Sequence, residues 1–234
     1  RDGTVTGVQT CALPILSQLS RAVISRLPRY YRCLRILINN GVLRVSSEEL
    51  AGLVGLSASQ VRGDLAALGD LGQQGYGYSV KTLYAEIASR LGAGDGFEAV
   101  VFGATPMGLA VAASPALSRR GVRVTAVLHT KPVDIATCGD PPKTVCCGVV
   151  LPDCCGVYPI TELGKIKSRD IAVLACDDEE VPELYRLIAD HGFAGVWNLT
   201  ELELRGSAKL LVVNARVGDS LMLLTYGLHS GDWE

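Results

Sequence analysis

The sequence predicts an α/β protein in two parts, a winged helix-turn-helix unit followed by a doubly wound parallel sheet. Three observations lead there. Two short helical segments, each opened by a serine and joined through Gly55-Leu56-Ser57, lie in the first third of the chain. A stretch punctuated by Gly72, Gly75 and Gly77 and carrying Tyr76 and Tyr78 comes after them, as a β-hairpin wing would. Beyond the run Gly92-Ala93-Gly94-Asp95-Gly96, short apolar segments alternate with helical ones, the order that builds a parallel sheet covered on both faces.

Pro28 is suited to the first turn of a helix, where a missing N–H costs little. Tyr30, Tyr31, Leu34, Leu37 and Ile38 then recur at helical spacing up to the stop Asn39-Asn40-Gly41. Ser46 with Glu49 forms a capping box for a helix over 47–54, and Ser57 with Gln60 forms another for a helix over 57–68. These two make a helix-turn-helix with 57–68 as its recognition helix. A fourth helix covers 80–91. In the second part, strands are expected over 98–102, 122–128, 171–175, 195–198 and 210–214. Helices are expected from near 107 to about 117, over 161–166, over 179–191 and over 220–228. The segment 130–160 reads as irregular, with prolines and cysteines. The segment 1–16 has no helical or strand period continuous with the residues after it. It is set apart as a leader foreign to the fold, leaving domains at 17–91 and 92–234.

Composition agrees with a packed protein. Of 234 residues 48% are hydrophobic and 20% charged. The net charge of −2 is unevenly spread: residues 17–91 carry nine Lys/Arg against five Asp/Glu, whereas 92–234 carry twelve against eighteen. A basic front half suits a polyanionic partner. No apolar run reaches the roughly 18 residues of a membrane span, which argues against a membrane partner. Eight cysteines without an export signal fit a reducing cytoplasm.

The pieces Arg26-Leu27-Pro28, Tyr30-Tyr31-Arg32, Val45-Ser46-Ser47, Gln60-Val61-Arg62 with Asp64, Gly69, and Gly75-Tyr76-Gly77-Tyr78 succeed one another over some 65 residues. In this order and spacing they resemble the N-terminal domain of the Rex family of redox-sensing transcriptional repressors. The likeness continues more loosely over about 22–229. It implies a homodimeric repressor that holds palindromic double-stranded operator DNA when NADH is scarce and releases it when NADH binds. Because the start of a recognition helix faces base edges and phosphates, Ser57, Ser59, Gln60 and Arg62 are the expected DNA contacts, with Tyr76 on the wing, for which packing against the helices is an equal alternative. The alternative for Arg62 is an ion pair with Asp64 or Glu48. Three positions depart from the family pattern. Gly63 stands where a basic residue is usual, Gln73-Gln74 replace a basic wing tip, and Ala67-Leu68 replace an aromatic pair. Each lost phosphate contact removes salt-dependent affinity, so weaker DNA binding or a changed site is expected.

The second domain reads as Rossmann-like, with the dinucleotide turn after 98–102. A G-x-G-x-x-G fingerprint is expected there, and the sequence has Gly103-Ala104-Thr105-Pro106-Met107-Gly108. The outer glycines are kept. Thr105 stands where the middle glycine would let the backbone approach the pyrophosphate. His129 stands where an acidic residue would hold the ribose hydroxyls, with Lys131 close by, a pair better suited to a 2′-phosphate. NADH/NAD+, NADPH and no dinucleotide therefore all remain open at this site.

Five cysteines, Cys138, Cys146, Cys147, Cys154 and Cys155, crowd one segment, but their spacing is not that of a zinc pair. Vicinal cysteines in extended chain face opposite ways. Ordinary thiols, a disulfide switch and a metal are the readings, in that order, and no metal ligand is assigned. The run Asp177–Glu180 reads as a solvated helix start. No catalytic constellation is visible. A Rossmann-fold oxidoreductase is the rival from another class, and a constitutive DNA-binding or scaffold dimer is a third reading. The segment 220–228, with Leu221, Met222, Leu224, Tyr226 and Leu228, is apolar on more than one side and is the expected dimer contact.

Overall fold

The computed structural model describes residues 19–69, 71–73, 76–139 and 141–231. The segment 1–16, expected to be a leader, lies outside them, as do residues 74 and 75 of the expected wing. The chain divides into two compact units that part between Gly92 and Ala93.

The first unit runs α1 (Arg21–Asn39), β1 (Arg44–Val45), α2 (Ser47–Val54), α3 (Ala58–Leu68), β2 (Gly72–Gln73), β3 (Gly77–Ser79) and α4 (Val80–Arg90). Helix α1 starts seven residues before Pro28, capped by the Ser20 side chain on the Val23 N–H. The expected start at Pro28 is thus corrected. The buried stripe Val23, Leu27, Tyr30, Tyr31 and Leu34 passes straight through the proline. Pro28 itself faces solvent, so water can serve the carbonyl it leaves without a donor. Both halves of the Ser46–Glu49 capping box are present at α2, which ends at Gly55 in the left-handed region, φ 68°. At α3 one half of the second box is formed: Ser57 Oγ accepts the Gln60 N–H at 3.2 Å. Strands β1, β3 and β2 make a small antiparallel sheet. Gly77 allows it, since a Cβ there would lie 2.6 Å from the Val45 carbonyl oxygen.

One buried charge sits at the centre of this unit. Asp64, on the inner face of α3, is 3% exposed. It accepts two hydrogen bonds from Arg26 of α1, at 2.7 and 2.6 Å, and one from the Tyr30 hydroxyl at 2.9 Å. The bidentate pair fixes α3 against α1 in angle as well as distance. Helix α4 joins through Tyr84, whose ring stacks on Tyr31 at 4.9 Å and whose hydroxyl donates to the Tyr31 hydroxyl.

The second unit begins with β4 (Phe97–Phe102), α5 (Pro106–Ala113), α6 (Pro115–Ser118) and β5 (Val122–His129). Next come β6 (Ile135–Cys138), β7 (Lys143–Cys146), β8 (Val149–Val150) and β9 (Gly156–Pro159). A 3-10 turn (Ile160–Lys165), β10 (Ile171–Leu174), a 3-10 turn (Asp178–Glu180) and α7 (Val181–Asp190) come after them. The unit closes with β11 (Gly195–Asn198), β12 (Leu211–Asn214) and α8 (Val217–Ser230). Six strands form one sheet in the order β12-β11-β10-β4-β5-β9, every neighbouring pair parallel. Numbered along the chain this is the dinucleotide-fold order 6-5-4-1-2-3, whose switch point lies between β4 and β10. Successive β4 residues point into opposite cores. Val100 and Phe102 meet Leu184 and Ile188 of α7, and Ala99 and Val101 meet Leu109 and Ala112 of α5. Burial on both faces explains why these strands read as unbroken apolar runs.

Two further expectations are corrected. The single helix reaching 117 is broken at Ser114, which takes an extended conformation (φ −73°, ψ 117°) because Pro115 disfavours the helical one before it. The segment read as irregular over 130–160 holds the antiparallel sheet β6-β7-β8 and the edge strand β9, paired with β5. Its strands are two to four residues long, too short for a period to show. The vicinal cysteines do face opposite ways: Cys146 and Cys155 are buried, Cys147 and Cys154 exposed. Burial pushes the Cys146 thiol up to about 11 and the Cys155 thiol up to about 12, keeping both in the unreactive protonated form. Among the described residues no helix is long and apolar enough to cross a membrane, and no group of three or more ligands could hold a metal.

The Asp64 network makes stability depend on pH. Burial alone would raise the Asp64 carboxyl, but hydrogen bonds from Arg26 and Tyr30 outweigh it and hold the carboxyl below its ordinary value. A depressed folded pKa stabilises above the unfolded value, near 3.9, and that stability is lost as pH falls through the folded value. Asp64→Ala is expected to destabilise the protein by about 3 kcal/mol at pH 7. In chemical unfolding the deficit should shrink as pH falls below about 4. A deficit that stays constant into acid would show that the charge on Asp64 is not what binds α3 to α1.

Candidate functional site

Helix α3 buries Val61, Asp64, Leu65 and Leu68 and turns Ser59, Gln60, Arg62 and Gly63 to solvent. Four of the five expected contacts therefore gather at its first two turns. Ser57 caps the helix and also shares a hydrogen bond with Ser59, Oγ to Oγ 3.1 Å. Arg62 is paired with Glu48 on α2 at 2.9 Å and donates to Ser47 Oγ at 3.1 Å. Of its two possible carboxylate partners it takes Glu48, because Asp64 is engaged by Arg26. The Arg62 side chain stays 54% exposed. An exposed pair of this kind is worth little and yields readily to a phosphate or a guanine edge. Gly63 has open space where a Cβ would go. On the wing Tyr76 is 71% exposed, with the Arg44 guanidinium 5.8 Å from its ring centre and donating to its carbonyl. Arg44 escaped the sequence reading because nothing in its neighbourhood announces that it reaches the hairpin turn.

The second site lies at the carboxyl ends of β4, β5 and β10. Gly103 adopts φ 117° and donates its N–H to the Leu128 carbonyl at 2.9 Å. A Cβ on it would sit 2.3 Å from the Ala175 carbonyl oxygen, and one on Gly108 would sit 2.1 Å from the Gly103 carbonyl oxygen. Both glycines are demanded by close approach, the first of strands and the second of helix to strand. Ala104 bridges the turn to the helix, where Pro106 takes the first position and Met107 the second. Thr105 has a different role from the crowding expected of it. It caps α5, its Oγ1 accepting the Gly108 N–H at 3.2 Å and donating to the Ala175 carbonyl at 2.6 Å. The cap occupies one amide that a pyrophosphate could use. Pro106 has no N–H, which leaves Met107 as the first-turn donor that can face a ligand.

The cationic pair expected beside the ribose also changes. His129 ends β5 and its Nδ1 lies 2.8 Å from the Lys131 carbonyl oxygen. Lys131 is tied to Asp177 at 2.6 Å and stands 3.8 Å from Glu180, whose carboxylate also receives the Thr130 hydroxyl. The hydrogen bond to Asp177 raises the Lys131 ammonium above its ordinary value, so it stays charged but neutralised. The acids at 177–180 thus do more than open a helix. The expected dimer helix is longer than 220–228, and Leu221, Met222, Leu223, Tyr226 and Leu228 on α8 are 60–76% exposed.

Together these features define a regulator class, in which a helix-turn-helix unit is joined to a dinucleotide fold. Residues 18–66 match the family model described as "Putative DNA-binding protein N-terminus". The redox-sensing transcriptional repressor Rex of Clostridium botulinum is 36% identical over 214 residues, covering 90% of this chain and 96% of that protein. The Rex protein of Caldicellulosiruptor bescii is 36% identical over 217 residues, covering 90% and 93%. A crystal structure of RSP with β-NAD+ and operator DNA superposes with a TM-score of 0.75 at 28% identity, covering 92% of this chain and 94% of that one. RSP with β-NADH gives the same TM-score at 27% identity, covering 91% and 95%. The chain belongs to the Rex family of redox-sensing transcriptional repressors.

The cap assigned to Thr105 can be checked directly. Thr105→Val keeps the shape but removes both hydrogen bonds, an expected cost of about 1 kcal/mol and a melting temperature lower by about 2–4 °C. Thr105→Ser should melt close to wild type. Equal melting of the valine and wild-type proteins would show that Thr105 does not cap α5.

Proposed function

We propose that this protein represses transcription by holding palindromic operator DNA through α3 and the wing, and lets go when NADH occupies the crevice at the end of β4. The observation that carries the reading is the switch-point turn 103–108, built on glycines and opening a helix, in the same chain as an exposed recognition helix. The crystal structures of RSP, one with NAD+ and operator DNA and one with NADH, support both ligands for a chain of the same fold. Ser57, Ser59, Gln60, Arg62 and Tyr76 are the DNA contacts in this reading. Gly103, Ala104, Thr105, Pro106, Met107, Gly108 and His129 line the dinucleotide. The thinner phosphate contacts and the occupied Gly108 amide make both affinities modest. The protein acts as a regulator rather than an oxidoreductase, in the cytoplasm where its operator lies. The exposed apolar residues of α8 support a homodimer, since such a face needs cover and a twofold operator needs two recognition helices.

The DNA contact is tested with a palindromic duplex selected by the wild-type protein from a random-sequence pool. At fixed salt Arg62→Ala should lose about 10- to 100-fold in affinity with an unchanged melting temperature. Gly63→Lys should gain affinity and steepen the salt dependence by about one unit of slope. Undiminished binding by the Arg62 variant would remove α3 from the interface.

For the dimer, sedimentation at micromolar concentration should give twice the 24.8 kDa chain mass. Leu224→Glu with Leu228→Glu should give the single mass. A wild-type monomer would sink this assignment.

A further inference from the structure

We propose that Asp177 and Glu180 choose the dinucleotide, outweighing the charge of Lys131 where a ribose 2′-phosphate would lie and so reserving the site for NAD(H). The proposal rests on the dinucleotide reading above and specifies its ligand. In a doubly wound fold the ribose next to the adenine lies at the end of the second strand, where a carboxylate normally takes its hydroxyls. This chain has His129 there, and Lys131 two residues on. Read alone, the pair invites a 2′-phosphate.

The structure supplies the missing carboxylates from another strand. Strands β5 and β10 flank β4 in the sheet. The turns at their carboxyl ends are joined across the end of β4 by Lys131–Asp177 at 2.6 Å, by Lys131–Glu180 at 3.8 Å and by the Thr130 hydroxyl on Glu180. This is the place where the 103–108 turn opens. Lys131 and Asp177 are 66% and 61% exposed, so the pair itself is weak and opens easily. What persists is the local balance, one cation against the carboxylates of Asp177 and Glu180, with the charge of Glu179 acting on Lys131 in the same sense. His129 is directed to the Lys131 carbonyl oxygen, and Asp178, which accepts the Glu201 N–H, is a further negative charge in the same turn. A 2′-phosphate, with about two negative charges, would have to part Lys131 from both acids and then lie beside them. A ribose with free hydroxyls brings no charge and can donate hydrogen bonds to the same carboxylates. Discrimination lost at position 129 is recovered from the turn after β10, by repulsion of the wrong ligand as much as by attraction of the right one.

The test is calorimetric titration of the full-length protein with NADH and with NADPH at low salt, where charge effects are largest. Wild type should favour NADH by at least about tenfold. Asp177→Asn with Glu180→Gln should strengthen NADPH binding by about tenfold and change NADH binding by less than about threefold. Adding Lys131→Met to that variant should remove the gain. Lys131→Met alone should leave the wild-type preference in place. NADH binding with a preference that the acid variants do not alter would overturn the proposal and leave the dinucleotide reading standing. Absence of binding by either cofactor to wild type and variants alike would overturn both.

Discussion

Three strands of the second unit come together at one backbone turn, and the approach is so close that only glycine can make it. Gly103 lies against the Ala175 carbonyl of the neighbouring strand's exit and donates to Leu128 on the other side, while Gly108 seats α5 on the Gly103 carbonyl. Any side chain at either place would drive β10 or α5 away. These contacts fix the turn at the carboxyl end of β4, and the dipole of α5 points there because the helix starts at Pro106. Thr105 completes the turn by bonding on both sides. Its hydroxyl takes up the Gly108 N–H for the turn itself.

The first unit has a corresponding constraint in Asp64. A carboxylate nearly out of water needs hydrogen-bond partners, and Arg26 and Tyr30 supply three bonds from one helix. The recognition helix is thereby locked at its inner face, which leaves its outer face free to carry function. Arg62 points the other way, held by a surface pair with Glu48 that costs little to exchange. Strong bonds on one side of α3 and weak ones on the other are what a rigid element presenting an exchangeable contact requires.

Much of this was legible in the chain. The serine caps, Gly55 and the wing glycines identified the helix-turn-helix, because each has a strict local cause. The fold class came from apolar runs alternating with helices. The roles of individual side chains were less legible, because they depend on partners far away in sequence. Asp64 finds Arg26 38 residues earlier, and Thr105 finds Ala175 70 residues later. Lys131 looked like a free cation until β10 brought Asp177 alongside it, 46 residues on. Pro28 misled in the opposite direction: a rule about helix starts gave way to an apolar stripe that continues past it. The small sheet over β6, β7 and β8 was hidden because strands of two to four residues carry too little pattern.

A DNA-holding unit and a nucleotide crevice share one chain, and thermodynamics makes any coupling between their ligands reciprocal. If NADH weakens the grip on DNA, DNA must weaken the grip on NADH by the same factor. The most direct measurement is therefore the dissociation constant of NADH for the free protein and for the protein saturated with its operator duplex, at one salt concentration. NADH should bind the operator complex at least about fivefold more weakly, with NAD+ showing no such penalty. Equal NADH affinity in the two states would contradict a repressor released by NADH.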